Sequence, residues 1–249
     1  MSSNQTPPVK RALVTGASSG IGAATALALL AAGFEVHGAA RREERLEELT
    51  GVQGHHLDVT SDASVEALAT QFETLDVLVA NAGGAFDADE VGNANLASWE
   101  KAYEVNVLGT VRTIKAFLPA LIASGNGHIV IMGSTAGRIA YENGGSYVAA
   151  KHALAAVAGT LRLELNGQPV RVSEIAPGMV KTDEFAVTRF GGDKEKAAKV
   201  YQGVEKPLTA EDIAEIVKWS VTLPAHVNID LLVVRPVAQA AQHKVHRKV

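Results

Sequence analysis

Short apolar runs recur along this chain, and most gaps between them hold a segment with helical spacing. The runs are RALVT (11–15), FEVHGAA (34–40), GHHLDV (54–59), LDVLVA (75–80), GHIVIMG (127–133), VRVSEIA (170–176) and IDLLVV (229–234). Helical segments fall at 20–32, 42–49, 61–72, 96–124, 145–166 and 209–222. The last opens on TAED, where Thr209 and Asp212 fit a capping box. Parallel strands need crossover connections, and crossover helices cover the sheet. The alternation therefore predicts an α/β fold, a doubly wound parallel sheet of about seven strands with helices on both faces. Residues 10–249 read as one domain behind a disordered leader, 1–9. Segment 182–208 breaks the alternation and contains RFGGDKEK. An insertion at the carboxyl ends of such strands is where a substrate lid belongs.

Composition removes several functional classes. The chain carries 23 Lys and Arg against 27 Asp and Glu, a net charge of -4, with both signs spread along it. No face concentrates the positive charge that nucleic acid requires. There is no cysteine, so disulfides, thiol catalysis and cysteine-built zinc sites are excluded. The histidines do not suggest a metal site. MSSNQTPPVKR lacks the apolar core of a signal peptide, and no uninterrupted apolar run is expected to cross a bilayer. A small-molecule partner and a cytoplasmic location are the expectations. The basic tail HKVHRKV (243–249) reads as a solvated end.

VTGASSGIGAATALALL (14–30) joins the first strand to the first helix. Gly16, Gly20 and Gly22 permit a tight turn and close approach of a pyrophosphate to the helix N-terminus. Ser18, Ser19 and Ile21 fall between them on the same expected contact surface. The position, in the first βα turn, marks a Rossmann-type dinucleotide site. NAD-binding sheets commonly place an acid at the end of the second strand for the ribose hydroxyls. Here Ala40, Arg41 and Arg42 stand there. Two guanidinium groups at a helix N-terminus oppose its dipole unless an anion joins them. A 2′-phosphate is such an anion, so the expected cofactor is NADP(H).

Tyr147 and Lys151 lie four residues apart, one helical turn, in a stretch otherwise made of small and apolar residues. An ordinary tyrosine titrates near pH ~10, and a neighbouring ammonium is expected to lower that value. The pair suits proton exchange with an alcohol or carbonyl while hydride moves. Ser134, at the end of IVIMGSTAG, can hold a substrate oxygen. Asn81 and Gly83, in VANAGG, follow the fourth strand and suit a cofactor wall. Asn106 falls on one stripe of the long helix with Tyr103, Thr110 and Phe117. It is either a satisfied structural amide or the holder of a water linking Lys151 to solvent.

TGASSGIG, NAG, Asn106, Ser134, YVAAK and PG together resemble the short-chain dehydrogenase/reductase family, over roughly residues 10–249. The resemblance implies a tetrad of Asn106, Ser134, Tyr147 and Lys151, with Tyr147 as the acid–base group and Ser134 as the substrate anchor. It places Asp58 and Val59 at the adenine, and Asn81, Ala82 and Gly83 along the ribose. The loop PGMVKTDEF (177–185), with Pro177, Gly178, Val180 and Thr182, closes over the nicotinamide. The family's second serine before Ser134 is replaced by Gly133.

IMGSTAGRIAY, PGMVKTDEFAVTRFGGDKEKAAKVYQ and LTAEDIAEIVKWSVTLPAHVNIDLLVVRP resemble the NADP-dependent 3-hydroxy acid dehydrogenases that act on serine, allo-threonine and related acids. A substrate carboxylate needs a cation. Arg189 is the first candidate, with Arg138 and Lys181 behind it. The rival readings are an NADPH-dependent aldehyde or ketone reductase of specialised metabolism and a non-catalytic NADP(H)-sensing regulator. Helices 96–124 and 145–166 are apolar on more than one face, and the family implies a homotetramer built on them.

Overall fold

In the computed structural model, which describes residues 9–248, the apolar runs become a parallel sheet. Its strands are β1 (Arg11–Thr15), β2 (Glu35–Ala40), β3 (Gln53–His56), β4 (Val77–Ala80), β5 (Gly127–Met132), β6 (Val170–Pro177) and β7 (Leu231–Val234). Their order is β3-β2-β1-β4-β5-β6-β7, and every pairing is parallel. β4 and β5 are buried along their whole length, as expected for strands covered on both faces. The expected α/β architecture is the one found. Most of the leader, residues 1–8, lies outside the described residues.

The helices are α1 (Gly20–Ala31), α2 (Glu43–Glu47), α3 (Asp62–Ala69), α4 (Leu96–Tyr103), α5 (Gly109–Ala123), α6 (Gly145–Glu164), α7 (Phe185–Arg189), α8 (Lys194–Tyr201) and α9 (Ala210–Thr222). One core layer joins the sheet to Phe117, Leu121 and Leu154 of α5 and α6. The other joins it to Leu29 of α1 and to Ile213 and Val217 of α9. Thr209 and Asp212 form the expected capping box at α9.

Three boundaries differ from the sequence reading, each for a local reason. β3 stops at His56 because Asp58 accepts from both the N–H and the hydroxyl of Thr60, at 2.9 and 2.7 Å, closing a turn. Segment 182–208 is not a plain loop. It holds α7 and α8, the latter capped where Asp193 accepts from the N–H of Lys196. The long helix changes pitch at Glu104–Leu108, a π-helical turn between α4 and α5.

That continuous run, Leu96–Ala123, has the length and mean hydropathy (1.3) to cross a bilayer, although charged residues such as Glu104 and Arg112 interrupt it. Half of its most apolar window is buried inside the protein. Its inward face carries Asn106, Thr110 and Thr113 as well as Phe117, which is how a core helix packs. The basic tail also departs from expectation. It folds back on α8, with Arg247 donating to the carbonyls of Val200 and Gln202 and the Lys248 N–H donating to Gly203 at 2.8 Å.

Candidate active site

The strand order reverses between β1 and β4, and the βα loops diverge there to leave a crevice. It has a volume of about 1450 Å³ and runs from the glycine loop and Arg41 to Tyr147 and Arg189.

The glycine loop has the shape its spacing predicts. Gly16 and Gly20 have φ of 67° and 54°, where a side chain is strained. At Gly22 a Cβ would stand 2.2 Å from the carbonyl oxygen of Gly16. Ser18, Ser19 and Ile21 line the crevice beside them. Thr182 approaches from the opposite rim, its methyl 3.4 Å from where a Cβ on Gly20 would sit. Across the reversal point, Asn81 donates to the carbonyl of Thr15 at 2.9 Å. The N–H groups of Asn81 and Ala82 both donate to the Thr15 hydroxyl at 3.0 Å. The end of β1 thus holds the Asn81–Gly83 turn.

At the end of β2, Arg41 is exposed, with no ion pair or side-chain hydrogen bond among the described residues. Arg42 grips Glu184 of the lid through both terminal nitrogens, at 2.9 and 2.8 Å, and donates to Ser18 and Ser19 at 3.0 and 3.1 Å. Ser19 also donates to Glu184, at 2.9 Å. The Arg42 guanidinium holds the Glu184 carboxyl below its ordinary value. This corner is therefore built to hold an anion, with a carboxylate already in its grip. A glycine cradle beside such a corner fits a dinucleotide phosphate. Asp58 borders the crevice next to Val59. Burial works against its charge, yet the two Thr60 donors keep its carboxyl below the ordinary value.

At the other end of the crevice, α6 presents Tyr147 and Lys151, both buried. Ser134 caps a short 3-10 turn, Thr135–Gly137, after β5, its hydroxyl accepting from the Ala136 N–H at 3.1 Å. That hydroxyl faces the same crevice as Tyr147. Lys151 Nζ donates to the carbonyl of Met132 at 2.8 Å and stands 5.6 Å from the Tyr147 ring centroid. Burial pulls the Lys151 ammonium down to about 8, with Glu174 opposing. The expected depression of Tyr147 is reversed. Burial pushes its hydroxyl above the ordinary tyrosine value, and the nearby Ser134 hydroxyl opposes the shift only in part. Desolvation decides the direction, while Lys151 Nζ is engaged by the Met132 carbonyl.

Asn106 is fully buried in the π-helical turn. Its Nδ2 donates to Ala102 and Gly84 at 2.8 and 2.9 Å, and its Oδ1 accepts from Gly84 at 3.1 Å. A Cβ on Gly83 would lie 2.5 Å from that oxygen. Asn106 therefore clamps the turn after Asn81 to the long helix, a satisfied amide rather than an open one.

The loop after β6 forms the roof. The Pro177 carbonyl accepts weakly from Ser134 and Thr135, at 3.4 and 3.3 Å. Gln239 closes against Gly178 and accepts from Met179 at 2.8 Å. Val180 is buried, bridged to Leu208, and Lys181 is exposed at the rim. Phe185 of α7 meets Tyr147 edge-on at 5.5 Å. Arg189 lies over Tyr141 and Phe190 at 5.5 and 5.7 Å and donates to the Asn143 carbonyl at 2.7 Å, while its buried Nε has no partner. Arg138 turns away from the crevice and pairs with buried Glu174, so it is not brought together with Arg189. Glu184, Phe185 and Tyr141 were not anticipated. Only the side-chain-rich stretch TDEF marked the first two.

Comparison with known proteins agrees with this geometry. The family model for short chain dehydrogenase matches residues 10–189. An uncharacterized oxidoreductase of Mycobacterium tuberculosis is 50% identical over 233 residues, 92% of each chain. An NADP-dependent 3-hydroxy acid dehydrogenase of Escherichia coli (strain K12) is 39% identical over 246 residues, 95% of this chain and 99% of the relative. The closed form of a serine dehydrogenase complexed with NADP+ superposes with a TM-score of 0.89 at 38% identity, covering 96% of this chain and 100% of that one. An alcohol dehydrogenase from the archaeon Thermococcus sibiricus, complexed with 5-hydroxy-NADP, gives 0.81 at 33% identity, covering 95% and 100%. With a glycine cradle at one end of the crevice and a buried Tyr147–Lys151 pair at the other, the chain belongs to the short-chain dehydrogenase family and is an oxidoreductase.

Proposed function

We propose that this oxidoreductase moves a hydride between NADP(H) and a small 3-hydroxy acid of the serine or 3-hydroxyisobutyrate type. Relatives of that stated activity, matched over nearly their whole length, support the reading. The observation that carries it is Arg189. Its half-buried guanidinium keeps an unpartnered Nε near Tyr141, in the same crevice as Tyr147, where a substrate carboxylate two carbons from the reacting centre would need a cation.

The dinucleotide would lie with its pyrophosphate on the Gly16–Gly22 cradle and its 2′-phosphate at Arg41 and Arg42; when bound, its nicotinamide supplies or accepts the hydride. The protein's own residues handle the proton. In the reducing direction Tyr147 donates its hydroxyl proton to the carbonyl oxygen, and its raised titration keeps that proton in place at neutral pH. Ser134 donates a second hydrogen bond to the same oxygen and orients it. Lys151, as an ammonium, offsets the negative charge left on Tyr147. Phe185 and the lid exclude water from the exchange. In the oxidising direction Tyr147 takes the alcohol proton and the steps run backwards.

Arg189→Met is expected to raise KM for a hydroxy acid at least about tenfold, the cost of a lost charge-assisted contact, with kcat changed much less. For an uncharged ketone KM should stay within about twofold. Equal losses on both substrates would reject the carboxylate role and favour the carbonyl-reductase reading, which the archaeal alcohol dehydrogenase likeness supports. We also place the enzyme in the cytoplasm as a homotetramer. Leu163 is 80% exposed on α6, and Leu108 and Val111 are exposed around the start of α5, an apolar surface that subunit contact would cover. Light scattering, which reads the number of chains per particle, tests the assembly.

A further inference from the structure

Glu174 is an acid in the middle of a buried central strand, and charged groups are seldom placed there without a partner or a task. Its side chain is fully buried. One carboxylate oxygen pairs with Arg138, which ends the 3-10 turn headed by Ser134. The other, Oε1, has no hydrogen-bond partner. That oxygen faces Gly133. A Cβ at Gly133 would stand 2.4 Å from it, and 2.9 and 3.0 Å from the Glu174 Cγ and Cδ. The glycine that replaces the family's second serine is the space Glu174 occupies, so the two residues are a matched pair across β5 and β6.

The same carboxylate lies close to the reaction. Met132, just before Gly133, holds Lys151 Nζ through its carbonyl, and Met132 pairs with Ile175, next to Glu174. The Ser134 turn also seats directly on α6, since a Cβ on Gly137 would meet the Lys151 carbonyl at 2.6 Å. The groups facing Tyr147 and Lys151 are few. Tyr141 stands before α6, Arg189 comes from α7, and β5 offers only neutral atoms. Among the described residues, Glu174 is the carboxylate that favours the Lys151 charge against burial.

We infer that Glu174 is a positioning residue of hydride transfer: it staples the Ser134 turn through Arg138 and supplies the counter-charge for the buried Lys151 ammonium. This rests on the assignment of Tyr147 and Lys151 above. Burial works against the Lys151 charge and Glu174 supports it, so loss of the carboxylate removes the only favourable contribution. Carbonyl reduction needs that ammonium and falls as pH rises through its titration, near 8 in the native protein.

The test is a pH profile of NADPH-dependent reduction for Glu174→Gln, Glu174→Asp and the double variant Arg138→Gln with Glu174→Gln. Removing both charges avoids leaving a stranded guanidinium, so the double variant remains informative if the single one folds poorly. In both Gln variants the alkaline limb should move down by at least about one pH unit, which costs roughly fivefold in rate at pH 8 and roughly tenfold well above it. NADPH affinity should stay within about twofold, and Glu174→Asp should recover most of the limb. A limb unmoved in the double variant overturns the inference and leaves the pair a fold staple only. Tyr147→Phe is run beside them. If that variant is inactive and the Gln variants keep the native limb, only the Glu174 inference fails. If it turns over normally, the site assignment itself fails.

Discussion

Tyr147→Phe is expected to lower kcat at least about 100-fold in either direction, the usual weight of a positioned acid–base group, while NADPH binds as before. The buried ring packs against Phe185, so removing one oxygen preserves shape and deletes only the proton carrier. On the proposed site, most of the cofactor's contacts would lie with the glycine cradle and the arginine corner, some distance along the crevice. Fluorescence titration with NADPH, followed by initial rates, separates the two effects. Turnover near native would show that the proton travels by another route.

The second large effect concerns cofactor choice. Replacing Arg41 and Arg42 together by alanine should weaken NADPH at least about tenfold more than NADH. Charge-assisted contacts to a phosphate are the strong class of hydrogen bond, and NADH has no 2′-phosphate to lose them. Arg42 already holds the Glu184 carboxylate in a two-pronged grip with Ser18 and Ser19 assisting. A 2′-phosphate would take the same donors, and Arg41 stands exposed beside them. Dissociation constants for both cofactors decide the matter. Equal losses would mean that the arginines serve only to tie the lid through Glu184.

Much of this was legible before any coordinates. The strand–helix alternation is a property of apolar spacing, and right-handed crossovers narrow the sheet orders to a handful. Tyr147 and Lys151 were visible because one helical turn fixes their common face. Gly22 was visible because a dinucleotide cradle needs a residue without Cβ where the chain closes to 2.2 Å on Gly16. Other features depend on partners far away in the chain. Arg138 read as a substrate cation until β6 brought Glu174 beneath it. The Tyr147 titration read as lowered because its nearest charge in sequence is Lys151, yet burial, among distant residues such as Ala85 and Ala136, decides its direction. The packing of the helix Leu96–Ala123 was likewise hard to read. Its polar residues break up the apolar runs in sequence, but three of them sit on the face that packs inward.

The most direct measurement is absorbance of reduced nicotinamide while the purified protein is mixed with NADP or NAD and L-serine, L-allo-threonine, 3-hydroxyisobutyrate or 3-hydroxypropionate. Simple ketones and aldehydes are run in reverse with NADPH. Growth of the reduced cofactor with NADP and a hydroxy acid, much weaker with NAD, is the predicted result. No signal with any hydroxy acid, together with rapid NADPH consumption on uncharged carbonyls, would contradict the substrate assignment and leave the family standing.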